Sequence, residues 1–388
     1  MTGPVYLDHN ASTPIDPAVI EVMMEAMRTH YANPSSGEHL PGATASEAIE
    51  RAREIIATAI GARSSEIIFC GGSTEANNLA LLGAFPALRE SGKTEIITSM
   101  IEHPSVKGPL ARLAAEHGAK VIQVPVGEHG AVYTDAVREA VTDKTGLVSI
   151  MAANNETGIL QPLDEIGALC AEKGLVFHTD YSQATAYRPL NVSNANVHLA
   201  SFSGHKMYGP KGIGVLYRRL RKPRVELEPV LYGGGQERGL RSGTLNTPAI
   251  IALAAAFDLV IRGYERDVAE IGSRRDRLAE GLRKIGGVSL NGELSNALPN
   301  TISVSVDGVE PLALMRLLRS EVAFSASSAC STDRVETSPV LKAMFGDTLR
   351  ARRAFRIGLG RGTSDHDIAR AIVAFSRGIN QLRSGRLA

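Results

Sequence analysis

"VHLASFSGHKMYGPKGIGVLY", residues 197–217, contains two short apolar runs around a polar turn, and the turn holds Lys206. The runs "VHLASF" (197–202) and "GIGVLY" (212–217) read as strands, because they are short, apolar and bounded by turn residues. Five similar runs precede them: "EIIFC" (66–70), "EIITS" (95–99), "AKVIQV" (119–124), "GLVSIM" (146–151) and "GLVFHTD" (174–180). Helical text separates the earlier ones: "TEANNLALLGAF" (74–85), "SVKGPLARLAAEHG" (105–118) and "LDEIGALCAEKG" (163–174), with Gly118 and Gly174 placed as C-caps. Alternation of this kind predicts an α/β fold: a mostly parallel seven-stranded sheet with helices on both faces. Upstream, "PIDPAVIEVMMEAMRTHY" (14–31) predicts a helix with Asp16 as N-cap and Pro17 in its first turn.

After about residue 258 the texture changes. Charged helical text (264–287) leads into "TISVSV", "VEPLALMRLLRS", "RAFRIGLG" and a last helix from Thr363 or Ser364. This predicts a smaller α+β domain. The expected division is 16–258 for the large domain, with 1–15 and 259–388 forming the small one.

Composition narrows the function classes. The chain has 388 residues, 44% hydrophobic and 21% charged, with a formal net charge of +1. That balance suits a soluble globular protein of this size and gives no electrostatic case for a nucleic acid or a membrane surface. The apolar stretch "PAIIALAAAF" (248–257) falls short of the roughly 20 residues a span needs. The N-terminus shows no basic start followed by an apolar run, which predicts no signal peptide. The three cysteines, Cys70, Cys170 and Cys330, form no C-x-x-C pair, so a reduced, cytoplasmic setting is expected, without a disulfide framework or a metal site. The basic run "RRLRKPR" (218–224) reads as a solvated loop.

In a parallel sheet, ligands bind beyond the carboxyl ends of the strands. After "EIIFC" comes "GGSTEANN" (71–78), whose glycines, Ser73, Thr74 and helix start suit either a phosphate cup or an ordinary N-cap. His103 follows the next strand. Asn154, Asn155 and Glu156 crowd one turn, and Asp180 and Gln183 follow "GLVFHT". Each has a bland reading as turn chemistry. Together, an anion cup, an acid and Lys206 at strand ends match what pyridoxal 5'-phosphate (PLP) requires: a lysine for the Schiff base and an acid for the ring nitrogen.

At this point the residues resemble a known family. "YLDHNAST", "NPSS", "GGSTEANN", "EHPSV", "NNETG", "HTDYSQA", "SFSGHKMYGPKGIG", "GGGQERGLRSGTLN" and "SSACS" together resemble the cysteine desulfurases of the NifS/IscS type, in the class V aminotransferase family. The likeness runs from about residue 5 to about residue 380 and implies the PLP-dependent transferase fold type I. It implies that Lys206 is the Schiff-base lysine and Cα base, and that Asp180 pairs with the ring nitrogen. His103 would stack on the ring and move protons, and Gln183 and Asn155 would meet its hydroxyl side. Ser73, Thr74, Ser203 and His205 would hold the phosphate, with Thr244 reaching it from the second protomer of a homodimer. Arg356 and Asn33 would bind the substrate carboxylate. Cys330, in the small polar stretch "FSASSACSTDR" (324–334) of a loop spanning about 324–337, would attack the sulfur of L-cysteine as a thiolate. It would then carry the sulfur as a persulfide to an acceptor protein, and L-alanine would leave. Cys70 and Cys170 read as core residues.

The sequence also departs from the family. Ser327 stands where glycine is usual, Asp333, Arg334 and Glu336 follow the cysteine, Tyr181 replaces a small residue, and His9 replaces Asn or Tyr. These departures leave the acceptor open among iron–sulfur cluster assembly, tRNA thiolation and DNA phosphorothioation. A selenocysteine lyase, another class V PLP enzyme and a non-catalytic PLP-fold scaffold are the alternative readings.

Overall fold

A computed structural model describes residues 3–326 and 337–385. The strands in chain order are β1 (Val5–Tyr6), β2 (Ile67–Cys70), β3 (Glu95–Ser99), β4 (Lys120–Val124), β5 (Thr145–Ser149), β6 (Val176–Asp180), β7 (Leu199–Ser203) and β8 (Gly214–Arg218). They continue with β9 (Val288–Leu290), β10 (Thr301–Val306), β11 (Val322–Ala323), β12 (Ser325–Ala326) and β13 (Ala354–Gly358). All seven expected strands join one seven-stranded sheet in the order β2-β8-β7-β6-β5-β3-β4. Only β8 runs against its neighbours; β4, β3, β5, β6 and β7 are mutually parallel.

Residues alternate between the two faces of this sheet, as a period of two requires. Ile67, Phe69, Ile97, Val148, Phe177, Phe202 and Tyr217 enter one apolar cluster. Ile68, Ile96, Leu147, Leu199 and Leu216 enter the other, with Leu79 and Val106 from the covering helices. Both faces are buried, which explains why the strands read as unbroken apolar runs.

The helices are α1 (Pro17–Thr29), α2 (Leu40–Ala59), α3 (Ser73–Glu90), α4 (Pro104–His117), α5 (Thr134–Ala140), α6 (Leu163–Lys173), α7 (Thr247–Arg283), α8 (Pro311–Leu318), α9 (Pro339–Phe345), α10 (Leu349–Arg352) and α11 (Asp365–Arg383). Asp16 caps α1 by accepting the Ala18 N–H at 3.0 Å. Gly118 (φ 73°) and Gly174 (φ 66°) end α4 and α6 in the left-handed conformation that glycine adopts without a Cβ penalty. The basic run lies at the end of β8 and beyond it, where Arg221 and Arg224 pair with Glu66 and Glu226.

Helix α7 is 37 residues long and runs unbroken through residue 258, the expected domain boundary. The change in texture is one of composition: the first part buries Ile250, Leu253 and Phe257, and the largely charged second half still buries Ile271, Leu278 and Leu282 on one face. By length and composition α7 is apolar enough to cross a membrane, but half of its most apolar stretch is buried in the fold. It packs against α1, α2 and α11.

Strands β12-β13-β10-β9 form a four-stranded antiparallel sheet. Phe324, Phe355 and Phe375 cluster beside it, with ring centroids 5.1–5.7 Å apart. The N-terminal segment joins this side: β1 pairs with β11, and Gly358 donates its N–H to the Leu7 carbonyl at 2.7 Å. From there residues 10–13 cross to the Lys206 turn.

Candidate active site

Parallel strands place their carboxyl ends on one edge, and the candidate residues gather there. Asp180 ends β6, in register with Ser201 of β7, and Ser203 ends β7 just before the Lys206 turn. Asp180 is buried. Its Oδ1 accepts from the Ser182 hydroxyl (2.6 Å) and N–H (3.0 Å), and its Oδ2 accepts from the Asn77 amide (2.8 Å).

Asn77 uses its second N–H to reach the Ser105 hydroxyl at 2.9 Å. The Ser105 oxygen is therefore an acceptor there, and its one proton is left for His103 Nδ1, 2.8 Å away. The Ser105 backbone N–H also donates to that nitrogen, at 3.1 Å. Nδ1 is thus an acceptor, and neutral His103 carries its proton on Nε2. Burial lowers the pKa of His103; the charge of Asp180 acts to raise it, while Lys206 and Lys107 lower it. The histidine therefore feels both the acid and the lysine, which marks the convergence of three candidate residues.

Lys206 closes a short 3-10 turn, Gly204–Lys206. Its Nζ donates to the carbonyls of Asn10 and of Ala11, the latter at 3.0 Å. The turn is held by Thr13, which donates to the His205 carbonyl and accepts the Tyr208 N–H at 2.8 Å. Tyr208 adopts φ 63°, a left-handed conformation unusual for a bulky residue. The Gln183 amide donates to the Asn10 carbonyl and accepts from the Asn10 side chain, so Gln183 and Lys206 meet at Asn10.

Beside the lysine lies a cavity of about 710 Å³, lined by Gly72, Ser73, Thr74, Ser203 and His205 among others. Gly72 (φ 148°) is the N-cap of α3, so Ser73 is the first helical residue and not the cap. A Cβ at Gly72 would meet no protein atom within 4 Å. The helix end is therefore open, as an anion site requires. The Gly71 N–H, by contrast, is taken by Glu75 Oε2, to which it donates at 2.8 Å. His205 is lowered to about 4, by burial first and then by the charges of Lys206 and Lys211, and stays neutral at ordinary pH.

Arg356 and Asn155 also meet: Arg356 Nη1 donates to the Asn155 carbonyl and Nη2 to Asp8 Oδ1, both at 2.9 Å. Arg356 Nε is buried without a partner among the described residues. Glu156 accepts the Ser338 hydroxyl at 2.5 Å, and burial raises its pKa to about 7.

Two candidates stand outside this gathering. Thr244 is exposed and is not part of the cavity lining. Asn33 is exposed too, and its side chain accepts the Ser35 N–H in a local turn. Cys330, with Ser327, Asp333, Arg334 and Glu336, lies outside the described residues. Cys70 and Cys170 are free and buried, and burial raises both thiols, Cys170 to about 12, which makes them poor nucleophiles. No metal-binding group of three or more His, Cys, Asp or Glu exists among the described residues.

Sequence reasoning passed over Asn77, Ser105 and Ser182. Asn77 lies four residues after Ser73 on one helix face, a spacing that could have singled it out.

The donor set fits PLP. A phosphate has an open helix end with hydroxyls and a neutral imidazole, a ring nitrogen has a fixed buried carboxylate, and an aldehyde has Lys206. The buried Asn77 Oδ1 has no partner among the described residues.

Comparison with known proteins agrees with this chemistry. A family profile described as Aminotransferase class-V matches residues 5–370. The cysteine desulfurase IscS of Rickettsia bellii (strain OSU 85-389) is 41% identical over 381 residues, covering 98% of this chain and 92% of that protein. A probable mitochondrial cysteine desulfurase of Dictyostelium discoideum is 40% identical over 381 residues, with 98% and 84% coverage. A solved structure described as a NifS-like protein superimposes with a TM-score of 0.88 at 34% identity, covering 98% of each chain.

Proposed function

The chain belongs to the class V aminotransferase family, and we propose how its own residues carry out the family's chemistry as a cysteine desulfurase of the NifS/IscS type. The observation that carries the reading is the junction of Lys206, Asp180 and the open α3 cup at one sheet edge. PLP is the cofactor the family implies; bound, it supplies an electron sink that makes the substrate Cα proton removable.

Lys206 would anchor it and would serve as the base at Cα. The Asn10 and Ala11 carbonyls hold the amine. Asp180, fixed by Ser182 and Asn77, would hold the ring nitrogen. His103 would bind the ring and would offer its Nε2 proton. Ser73, Thr74, Ser203 and His205 would hold the phosphate, and Gln183 and Asn155 would bind the ring hydroxyl. Arg356, with Asn33, binds the carboxylate of L-cysteine. The Cys330 thiolate attacks the substrate sulfur: an S–S bond forms, the C–S bond breaks, and its electron pair stays on carbon and takes up a proton. L-alanine and a Cys330 persulfide result.

A homodimer is part of the proposal. Exposed Ile20, Met24 and Met27 on α1 offer an apolar face, and exposed Thr244 is free to reach a second protomer. We also propose a cytoplasmic setting, a small domain of residues 1–15 and 259–388, and delivery of the sulfur to an acceptor protein in cluster assembly, tRNA thiolation or DNA phosphorothioation.

The test pairs two variants. Lys206→Ala is expected to lose the visible absorbance of the cofactor adduct. Cys330→Ala is expected to keep that absorbance and to stop sulfide release from L-cysteine. Full sulfide release by Cys330→Ala overturns the proposal.

A further inference from the structure

Glu75 presents a physical problem. It lies in the first turn of α3 and lines the same cavity as Thr74, Ser203 and His205. A carboxylate there repels the anion that the helix end would attract. Its side chain and that of Arg241 are 20% and 23% exposed, so solvent screens the charges incompletely.

The structure supplies a counterion from far along the chain. Arg241 Nε donates to Glu75 Oε1 at 2.8 Å, and its Nη2 lies 3.4 Å from Oε2. Oε2 also accepts the Gly71 N–H at 2.8 Å, so the carboxylate is fixed from two sides. Gly71 is the seat of this arrangement: a Cβ there would lie 2.8 Å from Glu75 Oε2. The other charged residues lining the cavity are Arg112 and Lys211, and Arg112 is already paired with Glu116.

We propose that Arg241 is a positioning residue of the phosphate site. It cancels the charge of Glu75 and pins that carboxylate on Gly71, which leaves the α3 N-terminus as the net positive end of the cup. This inference rests on the PLP reading above. Its logic is electrostatic, so it predicts a dependence on the ligand's phosphate and a rescue when Glu75 is neutralised.

Apoprotein is titrated with PLP and with pyridoxal, which lacks the phosphate, by calorimetry. For Arg241→Gln the PLP Kd is expected to rise about tenfold or more, with pyridoxal changing by less than about twofold. Glu75→Gln/Arg241→Gln is expected to return PLP binding to within about threefold of the parent, because the two changes are coupled. Arg241→Lys keeps the charge and is expected to stay within about threefold, which covers the case where Arg241→Gln does not fold. Equal losses for PLP and pyridoxal, no rescue in the double variant, or a tenfold loss in Arg241→Lys overturns the inference. Absence of PLP binding by the parent protein overturns instead the cofactor reading on which it rests.

Discussion

Glu102→Gln is expected to stabilise the protein at alkaline pH and to change it little at acid pH. Glu102 is 2% exposed. Its Oε1 accepts the Ser99 hydroxyl at 2.6 Å and the Met151 N–H at 3.0 Å, while its Oε2 is buried without a partner among the described residues. Burial, with a smaller contribution from the charge of Asp180, raises its pKa to about 8 from an ordinary 4.5. The folded state therefore holds this proton while the unfolded chain releases it. Ionising the unfolded chain favours unfolding from pH 4.5 upward, and the penalty levels off above pH 8. Between pH 5 and pH 9 the accumulated cost is about 4 kcal/mol, from ~1.4 kcal/mol per pKa unit over the part of the shift that this window spans. Glutamine does not titrate. Any fixed cost of its amide appears at both pH values and cancels in the difference. Urea unfolding of parent and variant at pH 5 and pH 9 measures this double difference. Infrared spectroscopy reads the same proton directly, as a carboxylic-acid carbonyl stretch at neutral pH that Glu102→Gln removes. Equal stability differences at the two pH values, together with no such band, would refute the reasoning.

Asp180→Asn is expected to lower the pKa of His103 further, since the Asp180 charge acts to raise it; NMR titration of the apoprotein checks this, and a rise would contradict it. Gly214→Ala is expected to cost about 2 kcal/mol or more and to weaken PLP binding, because a Cβ there would lie 2.4 Å from the Phe202 carbonyl and 2.7 Å from Gly72 Cα, backbone on both sides. Thermal melts and a cofactor titration would show it. Glu237→Ala is expected to destabilise by about 3–5 kcal/mol, since Arg53 loses two 2.8 Å bonds to that carboxylate in the core and keeps only Glu50 and the Ile67 carbonyl, while the Phe69 N–H loses its acceptor. Denaturant unfolding of Arg53→Met/Glu237→Ala should recover part of the loss.

The sequence alone determined the seven-strand α/β frame, because period and turn chemistry are local: each strand of the large sheet is a short run rich in apolar and β-branched residues. It also placed Asp180, His103 and Lys206 at strand ends, since parallel strands send their carboxyl ends to one edge. Tertiary structure decided what those residues touch. Asn77 meets Asp180 across 103 positions, and Arg241 meets Glu75 across 166. Contacts between residues so far apart leave no trace in a local pattern. The same holds for α7: a helix continues through a change of composition as long as its residues favour helix, and only packing shows that Ile271, Leu278 and Leu282 of its charged second half still face the core.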